Sequence, residues 1–220
     1  MYSDAVTGKI IQYLLHQPIQ EKDRSYPLVI FLHGLGDTVN IQTMGTATNF
    51  VDSMLSLENE SKDYRAYTLV PSTPLAHEGW WTYEQLEAFK HLIYHLLETY
   101  NIDAKRVYIT GISMGGFTTC ELVNQMPSNT FAAAVPLSGS QMMTDPETLL
   151  NTAFRIYHST NDTVVNVSCS RDLYQQLLIV NHPKVEYTEF VSGNHTSALY
   201  SVYSEQCYEF FGWMFAQRLP

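Results

Sequence analysis

Cysteine is scarce in this chain: Cys120, Cys169 and Cys207 are the three found in 220 residues. They are widely spaced and lack any C-x-x-C pairing, so neither a disulfide framework nor a zinc knuckle is suggested, and buried free thiols are expected. Basic residues are few as well. The 12 Lys and Arg are scattered among 22 Asp and Glu, a formal net charge of -10, which leaves no electrostatic footprint for nucleic acid. Residues 1–8 lack the basic-then-apolar pattern of a secretory leader, and no uninterrupted apolar run is long enough to cross a bilayer. A cytoplasmic setting is the expectation. Repeats, low-complexity tracts and linker-like composition shifts are missing too, so a single domain over residues 1–220 is expected, with no room for a large lid.

What is present is an alternation. Apolar runs of strand length occur at Ile10–Leu15, Leu28–Leu32, Arg65–Val70, Val107–Thr110, Phe131–Leu137, Phe154–His158 and Val185–Phe190. Helical patterns lie between them at Met44–Leu57, Tyr83–Tyr100, Phe117–Gln125, Val167–Val180 and Ala198–Gln217. The clearest is Tyr83–Tyr100, where Leu86, Phe89, Ile93, Leu96 and Tyr100 recur every three or four residues. This order predicts an α/β fold, a mainly parallel sheet of about seven to eight strands covered by helices on both faces. Tyrosine is frequent, with 15 copies, and Tyr200, Tyr203 and Tyr208 are expected to pack half-buried.

The sequence Gly111-Ile112-Ser113-Met114-Gly115-Gly116 sits between a β-branched run and a helix-compatible one. A G-x-S-x-G match in that strand–turn–helix context is a nucleophile elbow, in which a sharp turn holds the serine Oγ proud of the sheet. The plain alternative is a Gly-Ser turn. Serine needs a histidine to take its proton, a carboxylate to orient the imidazole, and donors for the oxyanion. In this fold class the partners follow later strands in the order Ser, acid, His. Asp162 follows the Phe154–His158 strand and is the acid candidate; its alternative is an Asn-Asp turn or helix cap. Asp145, Asp172 and Glu189 fit less well by position. His195, in Ser192-Gly193-Asn194-His195, follows the last strand and is the base candidate, with His158 its nearest rival. His91 and His95 lie one helical turn apart without a third ligand of recognisable spacing, so a solvated helix face is expected rather than a metal site. The oxyanion donors are expected to be the backbone amides of Met114 and, in Phe31-Leu32-His33-Gly34-Leu35-Gly36-Asp37, of Leu35. Gly34 and Gly36 would let that loop turn its amides inward, with His33 orienting it.

Phe31–Thr38 (FLHGLGDT), Asp103–Gly116 (DxxRVYITGISMGG), Asp162–Val165 and Asn194-His195 together resemble the α/β-hydrolase superfamily, and within it the phospholipase/carboxylesterase group that includes acyl-protein thioesterases. The chain departs from that group at Met114, where Gln is usual, and at Ser159, where Gly is usual. The resemblance implies a three-layer α/β-hydrolase domain cleaving small-molecule carboxylic esters or thioesters through an acyl-enzyme, with no cofactor or metal required. A peptidase of the same fold and a non-catalytic interaction module are the alternatives. Trp80, Trp81 and Tyr83 follow a strand and either line an acyl or aromatic substrate pocket or staple the long helix.

Overall fold

The alternating apolar runs build an eight-stranded sheet in this computed structural model, which describes residues 1–35, 45–72, 82–205 and 207–220. The strands are β1 (Tyr2–Ser3), β2 (Ile10–His16), β3 (Tyr26–Leu32), β4 (Tyr67–Ser72), β5 (Ile102–Ile112), β6 (Ala133–Leu137), β7 (Ala153–Ser159) and β8 (Val185–Phe190). Their spatial order is β1-β2-β4-β3-β5-β6-β7-β8. The pairings of β1 with β2 and β2 with β4 are antiparallel, and every pairing from β4 across to β8 is parallel. Parallel pairing aligns the carboxyl ends of β3, β5, β6, β7 and β8 along one edge.

Among the described residues six α-helices accompany the sheet: α1 (Gly45–Glu60), α2 (Tyr83–Thr99), α3 (Met114–Gln125), α4 (Ser168–Ile179), α5 (Ser197–Tyr200) and α6 (Cys207–Phe215). Strand pleating sorts them into two layers, because successive side chains point to opposite faces. On β3, Leu28, Ile30 and Leu32 join one cluster with Phe89 of α2, Leu122 of α3 and Leu173 of α4. Val29 and Phe31 join the other, with Phe50 of α1, Leu199 of α5 and Phe211 of α6. β3 is buried on both sides, so it reads as the continuous apolar run YPLVIFL rather than an alternation. Each fully buried Leu, Ile or Phe contributes roughly 1.5–3 kcal/mol.

Three elements differ from the sequence pattern. β1 is two residues long, too short to leave any periodic signal. β5 starts at Ile102, five residues earlier than its apolar run, because Ile102 pairs with Tyr26 of β3 ahead of a bulge in β5. The polar residues between are held by Asp103, whose carboxylate accepts from Arg106 Nε at 2.8 Å and Arg218 at 2.7 Å. Finally, the segment expected to be one helix over Ala198–Gln217 is broken: α5 passes into a π-helical stretch, Ser201–Glu205, before α6. Phe210, Phe211 and Met214 beyond the break still join the buried cluster of Ala198, Leu199, Val202 and Tyr203.

Smaller expectations are also refined. Of the late tyrosines, Tyr203 is fully buried, while Tyr200 and Tyr208 are half-exposed. Cys120 is buried, whereas Cys169 and Cys207 are only partly so. Among the described residues no helix is long and apolar enough to cross a membrane.

Candidate active site

Ser113 lies between the end of β5 and the first residue of α3, with φ 57° and ψ -119°. A left-handed φ at a residue with a Cβ stores strain, of order 1–3 kcal/mol, and persists only where the surroundings over-determine it. They do so here from two sides. A Cβ at Gly115 would stand 2.0 Å from the Leu32 carbonyl oxygen, so α3 packs its first turn directly on the end of β3. The Ser113 N–H donates to the Leu137 carbonyl at 2.8 Å, which ties the elbow to the end of β6. The turn expected from Gly111-x-Ser113-x-Gly115 is therefore built, and its strain falls on the serine. Met114 opens α3, so its amide belongs to the first-turn N–H groups that have no acceptor within the helix.

Asp162 sits in the loop after β7 with its carboxylate fully buried. Oδ1 accepts from the amides of Val164 at 2.8 Å and Val165 at 2.9 Å, so the Asn-Asp turn weighed as an alternative is present as well. Oδ2 accepts from His195 Nδ1 at 2.6 Å. Burial works against the charged carboxylate, yet the His195 bond and the two amides outweigh it and hold the Asp162 pKa below its ordinary value. The loop carrying His195 is shaped by Gly193, at φ 109°, and by Asn194, whose Oδ1 accepts from the Thr196 amide at 3.1 Å. With Nδ1–H committed to Asp162, a neutral His195 ring keeps its lone pair on Nε2.

The structure thus joins Asp162 to His195 and puts both on the sheet edge that carries Ser113. His158, the rival base, is instead fully buried: its Nε2 lies 3.1 Å from Asp162 Oδ2, the same oxygen that accepts from His195. Leu35 closes the described part of the loop after β3, its side chain exposed and its neighbour Gly34 reached by the His33 ring, whose Nδ1 donates to the Gly34 carbonyl at 2.8 Å. At Gly34 a Cβ would meet nothing closer than 3.6 Å, so space alone does not call for glycine there. Gly36 and Asp37 lie outside the described residues, as do Met44, His77, Trp80 and Trp81. Tyr83 opens α2 just beyond the N-cap Thr82 and is exposed. Thr82 and Gln85 form a reciprocal capping box, which gives the start of α2 a polar lock in addition to any apolar staple. His91 and His95 are not merely solvated. His91 Nδ1 pairs with Asp4 at 3.0 Å, and the His95 ring lies 5.4 Å from Tyr2, so the helix face holds the amino-terminal segment.

Against this geometry the relatives can be placed. Residues 76–148 match the prolyl oligopeptidase family. A solved thermostable esterase superposes with a TM-score of 0.86 at 32% identity, over 99% of this chain and 62% of its own. The chain belongs to the α/β-hydrolase superfamily. A ferulic acid esterase shares the α/β-hydrolase fold at a TM-score of 0.71 and 18% identity, covering 97% of this chain and 96% of its own. In sequence, a bifunctional acetylxylan esterase/xylanase from Neocallimastix patriciarum is 28% identical over 145 residues, 64% of this chain and 20% of its own length. This α/β-hydrolase therefore spans about three fifths of the thermostable esterase and one fifth of the xylan-acting relative.

Contacts that the sequence did not disclose stand behind the α/β-hydrolase site. Ser138, with φ 46°, and Gly139 back the elbow, and a Cβ at Gly139 would stand 2.3 Å from the Ser113 carbonyl. Ser170 meets His158 and is in turn met by Ser140. For Ser138, Gly139 and Ser140 the one signal is the Ser-Gly-Ser run directly after β6, a strand-end turn on the sheet edge that carries Ser113.

Proposed function

We propose that this α/β-hydrolase cleaves carboxylic esters through an acyl-enzyme on Ser113. The observation that carries the reading is the 2.6 Å bond from His195 Nδ1 to a buried Asp162, on the edge where Ser113 is held in strained torsions. His195 Nε2 takes the Ser113 proton as Oγ attacks the ester carbonyl, and the amides of Met114 and Leu35 receive the oxyanion. The imidazolium, stabilised by Asp162, returns that proton to the leaving alcohol. Water then attacks the acyl-Ser113 ester by the same base, releasing the acid and restoring the serine.

Thioesters suit the same steps, as the phospholipase/carboxylesterase resemblance implies. Trp80, Trp81 and Tyr83 supply apolar surface for the acyl or aryl group. The prolyl oligopeptidase match favours a second reading, amide cleavage by the same three residues.

The test is a panel of p-nitrophenyl esters of increasing acyl length beside feruloyl, thioester and peptide-anilide substrates. Wild type hydrolyses the esters and Ser113→Ala loses at least roughly a thousandfold in kcat. A fluorophosphonate labels wild type and not the variant. Unlabelled, folded wild type that turns over none of these substrates overturns the reading in favour of a non-catalytic module, and anilide cleavage above ester cleavage favours the peptidase.

A further inference from the structure

We infer that His158 is a positioning residue for the acid of this site, fixing the Asp162 carboxylate before His195 meets it; the inference rests on the Ser113–Asp162–His195 reading above. The carboxylate receives four donors. The amides of Val164 and Val165 hold Oδ1 at 2.8 and 2.9 Å, and Oδ2 is shared by His195 Nδ1 at 2.6 Å and His158 Nε2 at 3.1 Å. Three of these donors come from β7 and the loop that Asp162 itself occupies, so the plane of the carboxylate is set independently of the loop that bears His195. His158 and Asp162 side chains are both wholly buried, so water cannot replace the bond if it is removed.

The tautomer follows from the partners. His158 Nε2 faces the Asp162 oxygen and, at 3.1 Å, the Val165 carbonyl. Both only accept, so Nε2 carries its hydrogen whether the ring is neutral or charged. Nδ1 lies 2.7 Å from Ser170 Oγ in the first turn of α4, and that hydroxyl lies 2.8 Å from Ser140 Oγ. Rotatable hydroxyls satisfy Nδ1 in either state. The titratable and charged groups around the ring are Asp162, Cys169 on α4, and Glu189, its register partner on β8, whose carboxylate is engaged by Arg171, Tyr187 and Thr160. Burial disfavours a charged His158, but Cys169, the Val165 carbonyl and Asp162 together raise its pKa.

Two substitutions of the full chain separate positioning from packing. In His158→Gln the side-chain amide nitrogen reaches where Nε2 stood; in His158→Asn it falls short. With a p-nitrophenyl ester, His158→Asn lowers kcat roughly ten- to a hundredfold with KM little changed. The acid limb of its kcat/KM profile moves to higher pH, because the undivided charge on Oδ2 then bears on His195 alone. His158→Gln stays within roughly threefold of wild type with the limb in place. Ser170→Ala, which leaves His158 packed but releases Nδ1, lowers kcat in the same direction and serves where His158→Asn does not fold. Wild-type kcat in folded His158→Asn, or equal impairment of Asn and Gln variants with an unmoved limb, overturns the inference. Ser113→Ala measured alongside keeps the two readings apart: activity surviving there overturns the triad itself, whereas an inert Ser113→Ala beside an unimpaired His158→Asn overturns the positioning role alone.

Discussion

Ser113 is held at φ 57° by its neighbours, and the consequences separate stability from chemistry. Replacing it with Ala keeps the Cβ and hence the strain; replacing it with Gly removes both. Release of roughly 1–3 kcal/mol of strain, less the greater freedom of Gly in the unfolded chain, leaves Ser113→Gly about 1 kcal/mol more stable than Ser113→Ala. Urea midpoints with unchanged m-values check this, and equal midpoints would show that the torsions store no more than the freedom of Gly in the unfolded chain costs. Gly115 is the converse case, since any Cβ there meets the Leu32 carbonyl at 2.0 Å. Gly115→Ala is expected to lose at least about 3 kcal/mol, read by the same titration. These residues are legible in the sequence because a turn this tight permits few residue types. The Asp162–His195 contact is legible too, because chain order and strand-end loops limit the candidates to a few. The support given by His158, Ser170 and Ser140 is not legible, since it depends on which buried polar groups meet across β6, β7 and α4 rather than on spacing along the chain.

At the level of elements, a strand buried on both faces is readable from its apolar run, as β3 is, and an edge strand from its alternation, as β8 is. The carboxyl-terminal helix is not readable as it folds, because its apolar residues recur at helical spacing straight through the π-helical stretch. What inserts the wider turn is tertiary. The Tyr203 carbonyl accepts from Ser53 of α1 at 2.6 Å, and its hydroxyl lies 2.6 Å from Thr110 Oγ1 in β5. Thr110 already donates to the Val135 carbonyl at 2.8 Å, so Tyr203 is the donor of that bond. An asymmetry follows. Tyr203→Phe removes the donor and leaves an acceptor that is still engaged, a loss of about 1 kcal/mol. Thr110→Val strands a buried hydroxyl with its desolvation uncompensated and loses roughly 1–3 kcal/mol more. Thermal unfolding of the two variants side by side checks the order, and a less stable Tyr203→Phe would reverse the donor assignment. At the start of α2 the capping box is exposed and local, so Thr82→Ala is expected to lower stability by only about 1 kcal/mol.

Across the whole molecule, carboxylates act as clamps between segments distant in the chain. Asp4 accepts from Thr7 and faces His91 of α2, Asp103 joins the start of β5 to Arg218, Asp162 joins the loops after β7 and β8, and Glu189 joins β8 to Arg171 of α4. Each has a folded-state pKa below its ordinary value. For Asp4, burial opposes the shift, but Thr7 and His91 bring it to about 2; for Glu189, the Arg171 bonds bring it to about 2. A carboxyl that titrates lower when folded leaves the unfolded chain to bind the proton first. Its contribution is therefore complete above the unfolded pKa, near 4, and is drained as pH falls through the folded value. Charge acts in the same direction below the pI of about 5.1, where the -10 of neutral pH gives way to a surplus from 12 Lys and Arg and eight His. The melting temperature is thus expected to be nearly level from pH 7 to about 5 and to fall steadily from about 4 to 2. Asp4→Asn lowers the plateau, because it removes a buried acceptor, and shallows the acid decline, because one proton fewer is taken up on unfolding. Thermal melts across that range test both parts. An Asp4→Asn decline as steep as that of the parent chain would mean that the carboxylate of Asp4 is not among the groups whose protonation unfolds the protein.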